Sequence, residues 1–297
     1  MISFFFIIIC ALLFPGIINR TRSILSGRKG PDILQPLKNI ILLLRKGSVF
    51  STSSSIVTQF APTIYFATTI VAVLFIPFGH CNTFVSFNGD FVVFAYLLAL
   101  GRIALILGAL DAASSFQGMG AGREALYSML VEPAFFILIG TFALITGDTS
   151  FETIFTHFQT GGLNGVILGV LATFILFCIM IVETCRVPVA DSRTHLELTM
   201  IHEVMILDNC GFDLGIIHIS TYLKFSVFSA LIAACLIPQN LGFGWHFFLF
   251  FIIELACAIA VGIFESFRAR YRMPRNTSYM VTISAMAIVA FITTVMM

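Results

Sequence analysis

Long apolar runs, interrupted only by short polar stretches, constrain this chain more than any other feature. Each of eight runs is long enough to cross a hydrocarbon core of ~30 Å as a helix. They lie at roughly 2–19, 60–78, 91–110, 129–147, 163–183, 214–237, 245–265 and 278–296. A transmembrane β-barrel needs short segments of alternating polarity, which these runs are not. The composition agrees. The chain is 59% hydrophobic, with 33 Phe, a mean hydropathy of +1.02 and only 10% charged residues. Ordinary soluble domains carry about a quarter charged residues. The expected fold is an all-α integral membrane protein of eight transmembrane helices, with residues 1–297 forming a single membrane domain.

The basic residues test that count. Connections after the first, third, fifth and seventh runs hold Arg20, Arg22, Arg28, Lys29, Lys38, Arg45, Lys46, Arg123, Arg186, Arg193, Arg268, Arg270, Arg272 and Arg275. Those after the second, fourth and sixth hold no Lys or Arg. The positive-inside rule then makes the odd connections cytoplasmic and places both termini on the outer side of the plasma (inner) membrane. The first run has no basic n-region and no A-x-A site, so it reads as a first membrane helix rather than a removable signal.

After Gly30-Pro31, the residues Leu34, Leu37, Ile40, Ile41 and Leu44 recur at helical spacing. They predict an amphipathic interfacial helix, whose simplest use is a topology anchor. The outer connections at 79–89 and 147–162 read as polar loops. The GMGAG run at 118–122 has the wrong spacing for a phosphate cradle and reads as a turn.

Several function classes fall away. A net charge of +1 and the absence of a basic patch interleaved with aromatics exclude a nucleic-acid surface. Seven cysteines without a C-x-x-C pair do not support an iron–sulfur cluster or structural zinc. His195 and His202 are seven apart and would share a helix face, but His202-Glu203 is followed by Val-Met-Ile rather than a second histidine. No metal site or nucleophile elbow is expected. A stand-alone secondary transporter would show broken helices in inverted repeats, and no such pair is visible.

What remains is charge in costly places. A charged side chain near the bilayer centre costs about 2.5–3.5 kcal/mol on insertion scales. Arg102 and Lys224 lie inside apolar runs, as do or nearly do Asp111, Glu124, Glu132, Glu183, Glu203, Glu254 and Glu265. Glu124, Ser128 and Glu132 fall at i, i+4 and i+8, on one helical face. Glu254 and Glu265 are eleven apart and also share a face. Two readings stand: a ladder for proton hopping, or acids paired with Arg102, Arg123 and Lys224 to fix helix packing. The densest polar stretch is 183–213, ETCRVPVADSRTHLELTMIHEVMILDNCGFD, with eight charged residues in an otherwise apolar chain.

That stretch resembles the loop between the fifth and sixth helices of the membrane anchor subunit of energy-converting [NiFe] hydrogenases and formate hydrogenlyase. This family is homologous to subunit 1 of respiratory complex I, the subunit that carries its quinone site. GRKGPDILQPLKNIILLLRKGSV, GRIALILGALDAASSFQGMGAGREALYSMLVEP and GIFESFRARYRMP resemble further segments of it. The resemblance implies eight membrane helices and a subunit without a redox centre of its own. It also implies a peripheral hydrogenase-like or hydrophilic arm carrying iron–sulfur clusters and possibly NiFe, and antiporter-like membrane neighbours. Quinone enters only in the alternative, a quinone-site subunit of the NADH:quinone oxidoreductase type. By position, Glu132, Arg102 and Asp111 match the family's intramembrane charges. Arg123 matches the family's Arg nine residues before the Glu at Glu132, and Glu183, Arg186, Pro188 and Glu197 match its loop, the expected route and docking surface between redox arm and proton-pumping subunits. Ala190, Asn39, Leu42 and Cys185 depart from the family's pattern.

Overall fold

The computed structural model describes residues 2–51, 54–77, 83–158, 162–190, 200–237, 242–271 and 273–296. Among them every regular element is a helix: α1 (Ile2–Leu25), α2 (Gln35–Leu44), α3 (Ile56–Val73), α4 (Asp90–Asp111), α5 (Ser115–Thr146), α6 (Phe151–Phe158), α7 (Gly162–Glu183), α8 (His202–Met205), α9 (Gly211–Leu236), α10 (Phe243–Phe267) and α11 (Met273–Val295). Seven of these are long and apolar enough to cross a membrane. At the position of the fifth run, α7 carries the shorter apolar stretch Ile167–Glu183. Each of the eight runs in the sequence therefore has its helix.

α9 is the hub. It packs against α1, α2, α3, α7 and α10, and 72% of its apolar window is buried, against 39% or less in the other spans. Small residues make this possible. Ser220, Ser226, Ser229, Ala230 and Ala233 are all buried on α9, and in a bilayer close backbone approach and dispersion drive helix association. The hydroxyls are satisfied within the bundle: Ser220 donates to the Ile216 carbonyl at 2.9 Å and Ser226 to the Ile7 carbonyl of α1 at 3.1 Å. Around the hub, α3 pairs with α4, α5 with α11 and α1 with α10.

α2 is the expected amphipathic helix. Pro36 and Ile40 are buried while Leu34, Ile41 and Leu42 are exposed. Its protein-facing side lies against α1 and α9.

Two expectations about connections are corrected. The GMGAG run is not a turn but part of α5, which begins at Ser115, well ahead of the apolar run at 129. At ~1.5 Å per residue a 32-residue helix is about 48 Å long, so its first turns extend beyond the hydrocarbon. Gly120 is needed there, because a β-carbon would stand 2.9 Å from the Met205 amide nitrogen of α8. The 147–162 connection is likewise not a plain loop. It carries α6, whose Phe151, Ile154 and Phe155 join the main core, with Phe151 edge-on to Phe94 at 5.3 Å. Phe, Ile and Phe at i, i+3 and i+4 make one apolar face, a pattern present in the sequence but too short to stand out.

Candidate functional site

The intramembrane charges converge. Arg102 of α4 is 5% exposed. Its Nη1 donates to Glu132 Oε1 at 2.7 Å and its Nη2 to both carboxylate oxygens of Glu183. Its Nε stands 4.0 Å from Glu124 Oε1. From α9, Lys224 Nζ reaches Glu183 Oε2 at 3.4 Å and sits 5.1 Å from the Tyr65 ring centroid of α3. Four helices thus contribute three acids and two bases to one cluster, and α3 adds the Tyr65 ring beside Lys224. The planar guanidinium is suited to it, since its five donors fan out over several acceptors.

Local sequence explains how the cluster fits. Gly101 precedes Arg102, and a β-carbon there would run into Thr68 and Tyr65. Its absence lets α3 approach α4 where Tyr65 meets Lys224. Glu183 ends α7, and the chain then turns sharply through Cys185, whose φ of 50° lies in the left-handed region. Such a conformation in a non-glycine residue costs of order 1–3 kcal/mol and is kept where surroundings over-determine it. The following residues are held from outside: Arg186 Nη1 lies 3.4 Å from Glu265, Tyr271 N–H donates to the Pro188 carbonyl at 3.0 Å, and Asn276 donates to the Val189 carbonyl at 3.0 Å.

The cluster differs from the expected ladder. Ser128 does not bridge Glu124 and Glu132, because its hydroxyl donates to the Ala125 carbonyl of its own helix at 2.9 Å. Arg102 is the bridge. Both readings of the charges meet here: the acids are paired, yet three carboxylates share two cations. Arg123 takes no part in that pairing; its guanidinium donates to the Met200 carbonyl at 2.8 Å and so ties α5 to the segment before α8.

Other expected site residues lie elsewhere. Asp111 ends α4, where it accepts from the Ser55 and Thr58 backbone amides (2.8 and 3.2 Å) and hydroxyls (both 2.7 Å). It caps the start of α3. Glu254 is fully buried on α10 near Ser226 and Ser229 of α9 (3.2 and 3.4 Å). Glu265, near the C-terminal end of the same helix, meets Arg22 at 3.5 Å as well as Arg186. His195 and Glu197 lie outside the described residues, so the shared helix face of His195 and His202 does too.

Beyond Cys185, whose sulfur stands 3.8 Å from Glu124 Oε2, lies a cavity of about 370 Å³, walled by Asn19 of α1, Asn39 and Ile40 of α2, Cys185 and Arg186, His202 and Glu203 of α8, and His218 and Tyr222 of α9. On the other side, the Glu132 side chain is 38% exposed on the lateral surface of the bundle, whereas Arg102 and Glu183 are below 8%. The cavity lining includes groups shaped by burial. His202 is pushed down to about 3, by desolvation first and then by Lys224, His218 and Arg102, so it is neutral at neutral pH. Burial and the nearby Glu124 hold the Cys185 thiol well above the ordinary thiol range.

Sequence reasoning missed Tyr65 and Asp90, and marked Cys185 only as a departure from the family's pattern. Asp90 is fully buried at the start of α4, where it accepts from Phe151 N–H at 2.8 Å and Ser150 Oγ at 3.0 Å. An acid at the first position of an apolar run, after Asn-Gly, was its available signal.

Comparison with known proteins agrees with this architecture. Over 226 residues the chain is 29% identical to hydrogenase-4 component C of Escherichia coli K12, covering 76% of this chain and 70% of that one. It is 31% identical over 144 residues to formate hydrogenlyase subunit 4 of the same organism, covering 48% and 47%. Against an NADH-quinone oxidoreductase subunit of Solibacter usitatus it is 31% identical over 169 residues, covering 54% and 42%. The chain therefore matches about half the length of the latter two. A chain of the membrane-bound sulfane sulfur reductase, an archaeal respiratory membrane complex, shares the fold with a TM-score of 0.78 at 16% identity, covering 98% of this chain and 96% of that one. The model of the family described as NADH dehydrogenase matches residues 1–296, and the chain is a multi-pass membrane member of that family.

Proposed function

We propose that this chain is the membrane anchor and coupling subunit of a hydrogenase or formate-hydrogenlyase type oxidoreductase complex, linking a peripheral redox arm to proton or sodium translocation. The observation that carries the coupling role is the Arg102 cluster. Two cations neutralise two of the three carboxylates Glu124, Glu132 and Glu183, so the third is free to take up and release a proton. The supply side is the cavity beside Cys185, His202 and Glu203, and the exit is Glu132 on the lateral face. A half-exposed carboxylate on a membrane-facing surface is costly against lipid, which favours an antiporter-like membrane subunit as its neighbour. The connection after α7, with Arg186, Pro188, Glu197 and His195, is the docking surface for a hydrogenase-like arm. That arm supplies the iron–sulfur and NiFe chemistry; this chain contributes binding and proton handling. The odd connections face the cytoplasm, with both termini outside.

One observation favours a second reading. The 370 Å³ cavity is large enough for a small aromatic head group, as a quinone-site subunit would require. The discriminating experiment is purification of the complex through a tag on this chain. A co-eluting NiFe-type large subunit and hydrogen-linked turnover support the first reading. Quinone-dependent turnover blocked by a quinone analogue, with no NiFe-type subunit, replaces it with the second. Arg186→Glu tests docking in the same preparation: membrane insertion stays and the peripheral arm is lost. A fully assembled and active Arg186→Glu complex removes the docking role. For sidedness, in a cysteine-free background a cysteine introduced near Lys46 labels only from inside and one near Asp148 only from outside; the reverse pattern inverts the topology.

A further inference from the structure

We propose that Glu124, Cys185 and His202 form a binding site for one divalent cation of the zinc class. One ligand atom from each residue, a carboxylate oxygen, the sulfur and a ring nitrogen, lies within 4.8 Å of the other two. The sulfur stands 3.8 Å from Glu124 Oε2. Zinc bonds of about 2.0–2.3 Å in tetrahedral geometry place ligand atoms roughly 3.3–3.8 Å apart, so side-chain movements of about an ångström close the site.

The imidazole supplies the independent pointer to a ligand. His202 is 8% exposed, and its Nε2 is buried without a hydrogen-bonding partner among the described residues. A buried polar atom left in that state costs about 1–3 kcal/mol unless something binds there. The three residues come from α5, the turn after α7, and α8, so no local sequence motif announces them. The donor set selects the metal: thiolate and imidazole favour zinc and its neighbours over magnesium or calcium, which prefer oxygen. Thiolate and carboxylate together neutralise the cation's two charges. The cavity reaches Cys185 and His202 and gives a hydrated ion its way in. As the sulfur–metal bond forms, the thiol proton leaves to water in the cavity, and no oxidation state changes.

Binding has a consequence that rests on the proton-route reading of Glu124. A cation held by Glu124 competes with Arg102, whose Nε lies 4.0 Å from the same carboxylate. Occupancy of the site therefore arrests the cluster.

The test uses the full-length chain in lipid nanodiscs, titrated with Co²⁺ and then Zn²⁺. The expected result is one equivalent of Co²⁺ per chain, with a thiolate charge-transfer band that Zn²⁺ abolishes. Cys185→Ser loses the band, His202→Gln weakens binding roughly ten-fold or more, and Cys210→Ser leaves it unchanged. No band in the parent, or an undiminished band in Cys185→Ser, overturns the site. A measurement on the unaltered chain guards against misfolded variants: Zn²⁺ protects Cys185 from alkylation, mapped by mass spectrometry, and unchanged alkylation also overturns the site. In inverted vesicles of the complex, Zn²⁺ lowers proton uptake in the parent, and Cys185→Ser loses that sensitivity. Binding without inhibition leaves the metal site standing and removes Glu124 from the proton route.

Discussion

Asp90 and Glu183 are both buried acids at the ends of membrane helices, and they are held in opposite ways. Asp90 accepts from a backbone amide and a hydroxyl at the start of α6, with no cation in reach among the described contacts. Glu183 lies between Arg102 and Lys224. Donors on the backbone are fixed, so Asp90 has one arrangement; it stitches α6 to α4. Asp111 does the same for α3 at the other end of α4. Arg102, by contrast, has three carboxylates within 4.0 Å. It can exchange partners as one of them gains a proton. Asp90 and Glu183 therefore stand for two kinds of acid, one that holds helices together and one that can move charge.

The most severe way to break that comparison is Arg102→Met. It leaves three carboxylates with Lys224 alone, and breaking a buried pair costs about 3–5 kcal/mol. The expected outcome is a marked fall in thermal stability of the detergent-solubilised complex together with loss of turnover. A stable, active Arg102→Met complex would mean that the cluster is not electrostatically assembled.

Lys224→Met sharpens the contrast, since Glu183 keeps Arg102 while the cluster loses one of its two cations. Assembly is expected to survive, with ion-coupled turnover down about ten-fold, equivalent to ~1.4 kcal/mol of barrier. Turnover at the parent level would show that Lys224 only fills space against Tyr65.

A smaller effect is expected on the stitching side. Asp90→Asn keeps one carbonyl oxygen as acceptor and should cost about 1 kcal/mol of stability, read as a modest drop in melting temperature, with ion movement per turnover unchanged. If Asp90→Asn uncouples the complex, the division into two kinds of acid fails. The smallest effect belongs to the exposed pair of Lys38 and Asp32, 3.1 Å apart on α2 and the turn before it. The neighbouring lysine holds the Asp32 carboxyl below its ordinary range, but solvent screens such pairs. Lys38→Ala should leave assembly and turnover unchanged; a loss of either would reveal a contact with a partner at this surface.

Much of this was legible in the sequence. The eight spans follow from apolar length, and the amphipathic α2 from period. Arg102, Glu132, Glu183 and Lys224 stood out because charge in such runs is costly. Their pairing did not, since the partners are 30, 81 and 41 residues apart and meet only through helix packing. Tyr65 and Cys185 carry no charge and gave no such signal. Nor could periodicity separate Glu132, which joins the cluster, from Asp111, which caps a helix. The extension of α5 through GMGAG was hidden for a related reason: glycines read as a turn until α8 is seen packed against Gly120.

The central claim is that the cluster holds an exchangeable proton, and Glu132→Gln tests it most directly. The amide keeps the shape and an acceptor for Arg102 but removes the titratable group. Proton or sodium uptake and redox rate are measured together in inverted vesicles of parent, Glu132→Gln and Glu132→Asp. The account predicts an assembled Glu132→Gln complex whose redox turnover is impaired or no longer moves ions, and partial recovery in Glu132→Asp. Parent-level uptake and redox rates in Glu132→Gln would contradict it and leave Glu132 a packing residue.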